Sequence, residues 1–512
     1  MTALQHWGAT QPDKVACLIA GTDHRMTYRE LDQRANSFAQ LLMWMGLSRG
    51  DGIAVMLDND LKYFELVWGA MSLGIYYTPV STHLKPDEAA FIIRDCGAKV
   101  FFTKEHYAPV VEAMSPTNPA TCSVFILEGR VAGCLDYQAE MAKFDRYLEI
   151  PEGPVGKDFF YSSGTTGKPK GIKQPLFADA KQFRTSGDWV RNNFKFDSGT
   201  IYLSPAPLYH GAPLRFTMRT LDCGGTVVIL PKFTPEGALA AIETYAVTHS
   251  QWVPTMFFRM LSLPEHVRAK HDLRSHVCAI HSAAPCPVEI KQRMIDWWGP
   301  IVWEYYSSSE RNGVTCISAD DWLARKGSVG QAVLGTIHII DEAGHELGPN
   351  ATGDIYFDGP EFVYHNDPEK TAKTRSDRGW TTVGDVGYVD DEGYLFLTDR
   401  RSHMIISGGV NIYPAEIENR LSLHPDVEDV AVFGIPNLEF GEEVKAVVQL
   451  KDPSKASDGT ARELIEFCRA GLSNVKCPRS VDFEKCMPRH DNGKLFKHVL
   501  KKRYLVSGGV SA

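Results

Sequence analysis

Tyr161 to Gly171 reads YSSGTTGKPKG and follows the apolar pair Phe159-Phe160. The hydroxyls of Ser162, Ser163, Thr165 and Thr166 crowd into this one turn with Gly164 and Lys170. The combination suits an anion: glycine lets backbone N–H groups converge, hydroxyls donate hydrogen bonds, and lysine adds a mobile positive charge. A nucleotide polyphosphate fits such a nest. Spacing excludes two familiar phosphate loops. A Walker loop needs G-x-x-x-x-G-K-[ST] opening directly into a helix, whereas Gly164 and Gly167 are three residues apart and Pro169 stands where that helix would begin. The dinucleotide fingerprint G-x-G-x-x-G does not follow any strand-like run.

Other stretches supply what the loop lacks. Pro207 to Gly211 reads PLYHG, Glu304 to Glu310 reads EYYSSSE, Trp380 to Asp385 reads WTTVGD, and Pro488 to Lys494 reads PRHDNGK. Together with Asp399 to Glu418 and the glycine-rich loop, their order along the whole chain resembles the adenylate-forming superfamily of acyl-CoA synthetases, adenylation domains and luciferases. The resemblance implies two half-reactions. A carboxylate attacks the α-phosphorus of ATP, releasing pyrophosphate and leaving an acyl-AMP; a thiol then displaces AMP. Neither step needs a covalent enzyme intermediate, so the protein's task is to neutralise charge and align the attack. That matches a sequence rich in lysines and hydroxyls at these motifs and without a visible catalytic triad.

The same resemblance implies a role for each residue. Glu310 and Thr165 would hold Mg²⁺, an ion that takes few carboxylates and completes its shell with phosphate oxygens and water. Ser309 would contact the α-phosphate, Tyr306 would stack on adenine, and Glu304, Tyr305, Ala283 and Ala284 would complete the nucleotide pocket. Asp385 would accept hydrogen bonds from both ribose hydroxyls, reinforced by Arg400. Lys494 would bridge the incoming carboxylate and the α-phosphate, and His210 would gate the carboxylate's approach. Gly408 and Gly409 would admit the narrow pantetheine arm of coenzyme A. The chain departs from the commoner Y-G-x-T-E pattern with Ser307 for Gly and Ser309 for Thr, and it has Ser402 where the family has Asp or Lys after the hinge arginine.

For the acid itself, the resemblance points to Tyr209, Trp252, Val253, Phe257 and Ser282, with His281 nearby. No acidic residue stands where amino-acid-activating domains hold a substrate amine, and Met256, Phe257, Phe258 and Met260 make the region apolar. A hydrophobic aliphatic, aryl or bulky alicyclic acid is therefore expected. No carrier segment follows Lys494, so free coenzyme A is the expected acceptor; a stand-alone adenylation enzyme that loads a carrier protein, or a catalytically silent nucleotide-binding relative, are the alternatives.

Elements must position these motifs. Short apolar runs such as GIAVML, YYTPV, AKVFFT, GTVVILP and HVCAIHSAA alternate with helical stretches, a β-α-β rhythm that indicates parallel strands with crossover helices. Thr27 followed by Glu30 marks a capping-box start for a helix over 26–47. From Gly327 the runs TIHIID, GDIYFDG and GYLFLTD, separated by turns, read as a β-rich subdomain. The expected fold is α/β: a large N-terminal domain of doubly wound βα subdomains plus a β-rich subdomain over 1–399, a hinge at 400–402, and a small α+β C-terminal domain over 403–512.

The 512 residues exceed what one core organises, and 44% are apolar. With 54 basic against 63 acidic residues and a net charge of −9, a nucleic-acid partner is not expected. The eleven cysteines are odd in number and include no C-x-x-C pair, which fits reduced thiols. Neither a basic-then-apolar leader nor an apolar run long enough for a bilayer is visible, so a cytoplasmic protein is expected; the resemblance implies a monomer or homodimer.

Overall fold

The structure, a computed structural model, describes residues 3–114, 122–144, 148, 153–162, 169–400, 404–407, 410–437, 439–489, 495 and 497–507; the side chains of Asp399, Arg400, Asn411, His498 and residues 505–507 are outside that description.

The helix expected over 26–47 runs Tyr28–Trp44. Its start is the capping box: Glu30 N–H donates to Thr27 Oγ1 at 3.3 Å and Thr27 N–H donates to Glu30 Oε2 at 2.8 Å, satisfying two backbone donors that a helix start leaves open. Helix Lys62–Ser72 lies against it through Gly69, where an added Cβ would sit 2.7 Å from the Ala35 carbonyl oxygen and 2.6 Å from Phe38. These helices cover a five-stranded parallel sheet in the order Tyr76–Pro79, Gly52–Val55, Ala98–Thr103, Ser123–Ile126, Leu135–Asp136. Most of its inner strand residues are buried, as parallel strands covered on both faces require.

A second sheet of 13 strands dominates the N-terminal part. Six neighbours are parallel, in the order Val15–Ile19, Thr226–Ile229, Ile201–Ser204, His249–Trp252, Cys278–His281, Val302–Ser307. At Val302–Ser307 the pairing becomes antiparallel, first with Val314–Ile317 and then with Ser328–Leu334. The β-rich part expected from Gly327 is present, but it is joined to the parallel strands edge to edge within one hydrogen-bonded sheet. A small sheet of Phe160–Ser162, Lys170–Lys173 and Val363–Tyr364 lies apart from both.

The C-terminal part has its own core of Ile405, Ile417, Leu421, Val432, Val448 and Leu464. Strands Val427–Asn437 and Gly441–Leu450 form a long antiparallel pair, with Ser480–Phe483 added in parallel. Helices Pro414–Leu421, Asp458–Arg469 and Lys497–Ser507 complete it. Strand Leu395–Arg400 carries the N-terminal sheet up to the expected hinge, whose Arg401 and Ser402 lie outside the described residues. No helix among the described residues is long and apolar enough to cross a membrane.

Gly69→Ala should lower the stability of the N-terminal part by about 1–3 kcal/mol, the usual penalty for forcing extra volume into a packed contact. A drop in thermal midpoint checks this; an unchanged midpoint would show that the two helices separate freely.

Candidate active site

A cavity of about 1160 Å³ opens between the large sheet, the small sheet and the C-terminal part. Gln251, Val253, Ser282, Ala283, Tyr305 and Ser307 line it, all at or just beyond the C-terminal ends of parallel strands. Open α/β sheets bind ligands at that edge, because crossover loops diverge there and leave a crevice. Ala283 has φ 76°, a left-handed conformation that alanine rarely adopts, and it turns the chain along the cavity wall.

One corner collects the residues expected at the phosphates. Ser162 and Lys170 are cross-strand partners at the mouth of the hairpin, and both line the cavity. Gly171 is required for close approach, since a Cβ there would meet the Phe159 and Tyr161 rings at 2.9 Å. Lys170 Nζ lies 5.9 Å from the centre of the Tyr364 ring, and the Tyr364 hydroxyl donates to Glu310 Oε1 at 2.8 Å. Gln174 Nε2 donates to the Glu310 carbonyl at 2.7 Å. Residues far apart in sequence thus bring a lysine, a carboxylate and the Ser309 turn to one spot. Ser163, Gly164, Thr165 and Thr166 lie outside the described residues.

The residues expected at adenine and ribose also meet. Tyr306 Oη donates to Asp385 Oδ2 at 2.6 Å across 79 positions of sequence. They directly adjoin Ser307 and Gly384, which line the cavity. Asp385 pairs in register with Arg400 across neighbouring strands, so the two expected ribose residues are backbone partners.

His210 is the N-cap residue of helix Gly211–Asp222, with its ring 4.6 Å from that of Tyr209; both line the cavity. Not every expected residue does. Alternate strand residues face opposite sides of a sheet, so Gln251 and Val253 reach the cavity while Trp252 between them points into the core, against Phe257 and Trp298. Trp252 and Phe257 are fully buried there and Ala284 is likewise absent from the lining.

Glu304 also turns away. Its carboxylate accepts a hydrogen bond from Lys291 Nζ at 2.7 Å, and His281 Nε2 lies 3.6 Å from it. All three are buried. Burial pushes the Glu304 carboxyl up, against the opposing pull of Lys291, and burial followed by the Lys291 charge holds His281 far below its usual range and therefore neutral. This ion pair fastens helix Val288–Trp298 to the strand that carries the tyrosines.

From the C-terminal part, Arg489 lines the cavity; its Nε and Nη2 donate to Asp429 at 2.6 Å each, and it forms a β-bridge with Leu495. Lys494, Gly408 and Gly409 lie outside the described residues, as does the Arg400 side chain. Sequence reading missed Tyr364, Lys291, Arg215 and Arg311. Of these, Arg215 was within reach, five residues after His210 on a helix that starts at the gate.

Two family models match the chain: the AMP-binding enzyme model over residues 4–364 and the AMP-binding enzyme C-terminal domain over 416–494. The chain is 30% identical to the long-chain-fatty-acid–CoA ligase FadD13 of Mycobacterium tuberculosis, covering 98% of this chain and 97% of that one. It is 32% identical to a feruloyl-CoA synthase of Amycolatopsis sp, covering 96% of each. The o-succinylbenzoate CoA synthetase MenE of Bacillus subtilis, solved with the acyl-adenylate intermediate OSB-AMP, superposes with a TM-score of 0.81 at 25% identity, covering 98% of each chain.

Lys291→Met should destabilise the protein by about 3–5 kcal/mol, because it leaves the Glu304 charge buried without its partner. The double variant Lys291→Met, Glu304→Leu should lose much less, since both charges go together. Denaturant unfolding at neutral pH compares the two; equal losses would show that the pair acts only as packing volume.

Proposed function

The chain belongs to the AMP-binding enzyme family, the adenylate-forming acid:CoA ligases, and from that premise we propose that it joins a carboxylic acid with an apolar body to free coenzyme A through an acyl-adenylate. One observation carries the proposal: a single cavity onto which Lys170, Glu310, Ser309, His210 and Arg489 all open, with the Tyr306–Asp385 pair at its margin. Adenylation requires a carboxylate and a triphosphate to approach despite like charge, so donors and cations must converge before either binds.

In the first half-reaction a carboxylate oxygen forms a bond to the α-phosphorus while the bond to the bridging oxygen of pyrophosphate breaks, that oxygen keeping the electron pair. Ser162 and Lys170, with the glycine-rich turn between them, hold the departing pyrophosphate. Ser309 steadies the α-phosphate, and Lys494 offsets the charge that gathers between carboxylate and phosphorus. Asp385 and Tyr306 fix ribose and adenine, while His210 and Tyr209 set the carboxylate's line of approach. Glu310 suits a magnesium ion, because one carboxylate oriented by Tyr364 beside a lysine leaves phosphate oxygens to fill the shell; Thr165 would join it. Bound there, the ion would neutralise phosphate charge.

In the second half-reaction the coenzyme A sulfur, its proton lost to solvent, bonds to the acyl carbon while the bond from that carbon to the phosphate oxygen breaks, and AMP departs with the electron pair. Exchange of the lid over 403–512 about the 400–402 hinge would bring Gly408 and Gly409 to the pantetheine in place of Lys494. The cytoplasm, which supplies ATP and coenzyme A, is the expected compartment.

A pyrophosphate-release screen over aliphatic, aromatic and alicyclic acids, with and without coenzyme A, tests the assignment. The expected result is AMP formation that needs both an acid and coenzyme A; activity on amino acids alone, or transfer only to a carrier protein, overturns it. Lys494→Ala should slow acyl-AMP formation by at least about 100-fold, the scale of one oriented charge contact, while thioester formation from supplied acyl-AMP stays near the unmodified rate. Equal loss of both half-reactions would remove Lys494 from this role.

A further inference from the structure

The small sheet that carries Ser162 and Lys170 is slight. Its strands Phe160–Ser162, Lys170–Lys173 and Val363–Tyr364 hold three, four and two residues, and Ile172, Phe362 and Tyr364 form a small apolar cluster of their own. Lys170–Lys173 is the middle strand. Ser162 stands on one outer strand, Lys170 on the middle one, and Tyr364, which orients Glu310, on the other outer strand. A sheet this short gains little from its own pairing and takes its place from what it is tied to.

One residue from outside the sheet holds both outer strands. Asp95 is the last residue of helix Pro86–Asp95, which is anchored through Ala89, Ala90, Ile92 and Ile93 in a core cluster with Phe101 of the five-stranded sheet. Its Oδ2 accepts from the Tyr161 hydroxyl at 2.6 Å, its Oδ1 accepts from Asn366 Nδ2 at 3.3 Å, and its main-chain carbonyl accepts from His365 Nε2 at 2.9 Å. Tyr161 directly precedes Ser162, and His365 and Asn366 directly follow Tyr364. Asp95 therefore clasps the sheet across its middle strand.

The middle strand is shaped to let the clasp close. Tyr161 and Gly171 are cross-strand partners, and the Tyr161 ring lies over the glycine: a Cβ there would stand 2.9 Å from its Cζ and 3.0 Å from its hydroxyl oxygen. The Gly171 carbonyl accepts from His365 N–H at 2.8 Å. The Phe159 ring lies 5.3 Å from that of Tyr161 and 5.0 Å from that of His365, so the two strands that Asp95 joins also share an aromatic contact. The helix itself gives no reason for this residue. A carboxylate at a helix C-terminus opposes the helix dipole, and Asp is a poor helix former.

Resting on the reading of this hairpin as the pyrophosphate site, we propose that Asp95 is a positioning residue for ATP: by clasping Tyr161 and the His365-Asn366 turn it fixes Ser162 and Lys170 relative to Tyr364 and Glu310 before the nucleotide arrives. It touches no phosphate and acts through Tyr161, one peptide bond from Ser162. Without the clasp the nucleotide must order the hairpin as it binds, and that ordering is taken from its affinity. AMP has no pyrophosphate to place on the hairpin, so its binding is indifferent to the clasp.

The test is direct binding of ATP and of AMP to the full-length protein, read by calorimetry with magnesium present and neither acid nor coenzyme A. Asp95→Asn keeps the size of the side chain but presents an amide donor in place of one acceptor oxygen, and Tyr161→Phe removes the hydroxyl while keeping the ring. Each should weaken ATP at least about fivefold, the scale of leaving a few side chains to be ordered on binding, with AMP affinity unchanged. Combined, they should weaken ATP no further than the stronger of the two alone, because both break one clasp. ATP held as tightly by both variants as by the unmodified protein overturns the proposal. So does an equal loss for ATP and AMP, which makes Asp95 a general tie of the fold, and so do losses that add in the double variant. Should Asp95→Asn not fold, Tyr161→Phe gives the same comparison of ATP with AMP. If the unmodified protein binds AMP no less tightly than ATP, the hairpin is not a pyrophosphate site and the proposal falls with that reading; if ATP binding follows the expected pattern and no acid supports CoA-dependent AMP release, the ligase reading fails and the clasp stands.

Discussion

The active cavity depends on one strand that is paired in opposite senses at its two edges. Val302–Ser307 runs parallel to Cys278–His281 and antiparallel to Val314–Ile317. Parallel neighbours bring loops to one end of the sheet, while the antiparallel partner returns at once through a tight turn. That turn contains Ser308, Ser309, Glu310 and Arg311, so the change of pairing sense sets a cluster of polar side chains against the C-terminal ends of the parallel strands. The buried Lys291–Glu304 pair clamps the same strand from below. The side facing the ligand and the side facing the core are therefore tied to the same few residues.

Charge organises what that strand presents. Adenylation brings anions together, and the cavity answers with cations drawn from separate elements: Lys170 from the small sheet, Arg215 from the gate helix and Arg489 from the C-terminal part. Each is tethered, to a tyrosine ring or to a carboxylate, which limits the freedom it would lose on meeting a ligand. Coverage by apolar walls raises the strength of every such contact and raises equally the penalty for leaving one unmet.

Much of this was legible in the sequence wherever the signal is local. The capping box at Thr27 needs only Thr and Glu three residues apart, and it formed as read. The motif order pointed to the family and to the α/β fold with its small C-terminal part. Contacts set by long-range register were harder. The resemblance places Trp252 among the pocket residues, but strand alternation sends it to the other face from Gln251 and Val253. Glu304 belongs to a nucleotide motif, yet its carboxylate meets Lys291 from a helix whose facing could not be read without the packed structure. Arg311 was passed over because a residue's aim depends on its φ, and a positive φ at a non-glycine position leaves no trace in composition.

That left-handed turn has an evolutionary consequence. Glycine and arginine codons can differ by a single base, and glycine suits the backbone at position 311 at least as well as arginine does. A point substitution there exchanges a guanidinium on the cavity wall for bare backbone, with no insertion and no rebuilding of the strands on either side. The charge of this wall can therefore change in one step while the strands that build the rest of the cavity stay as they are.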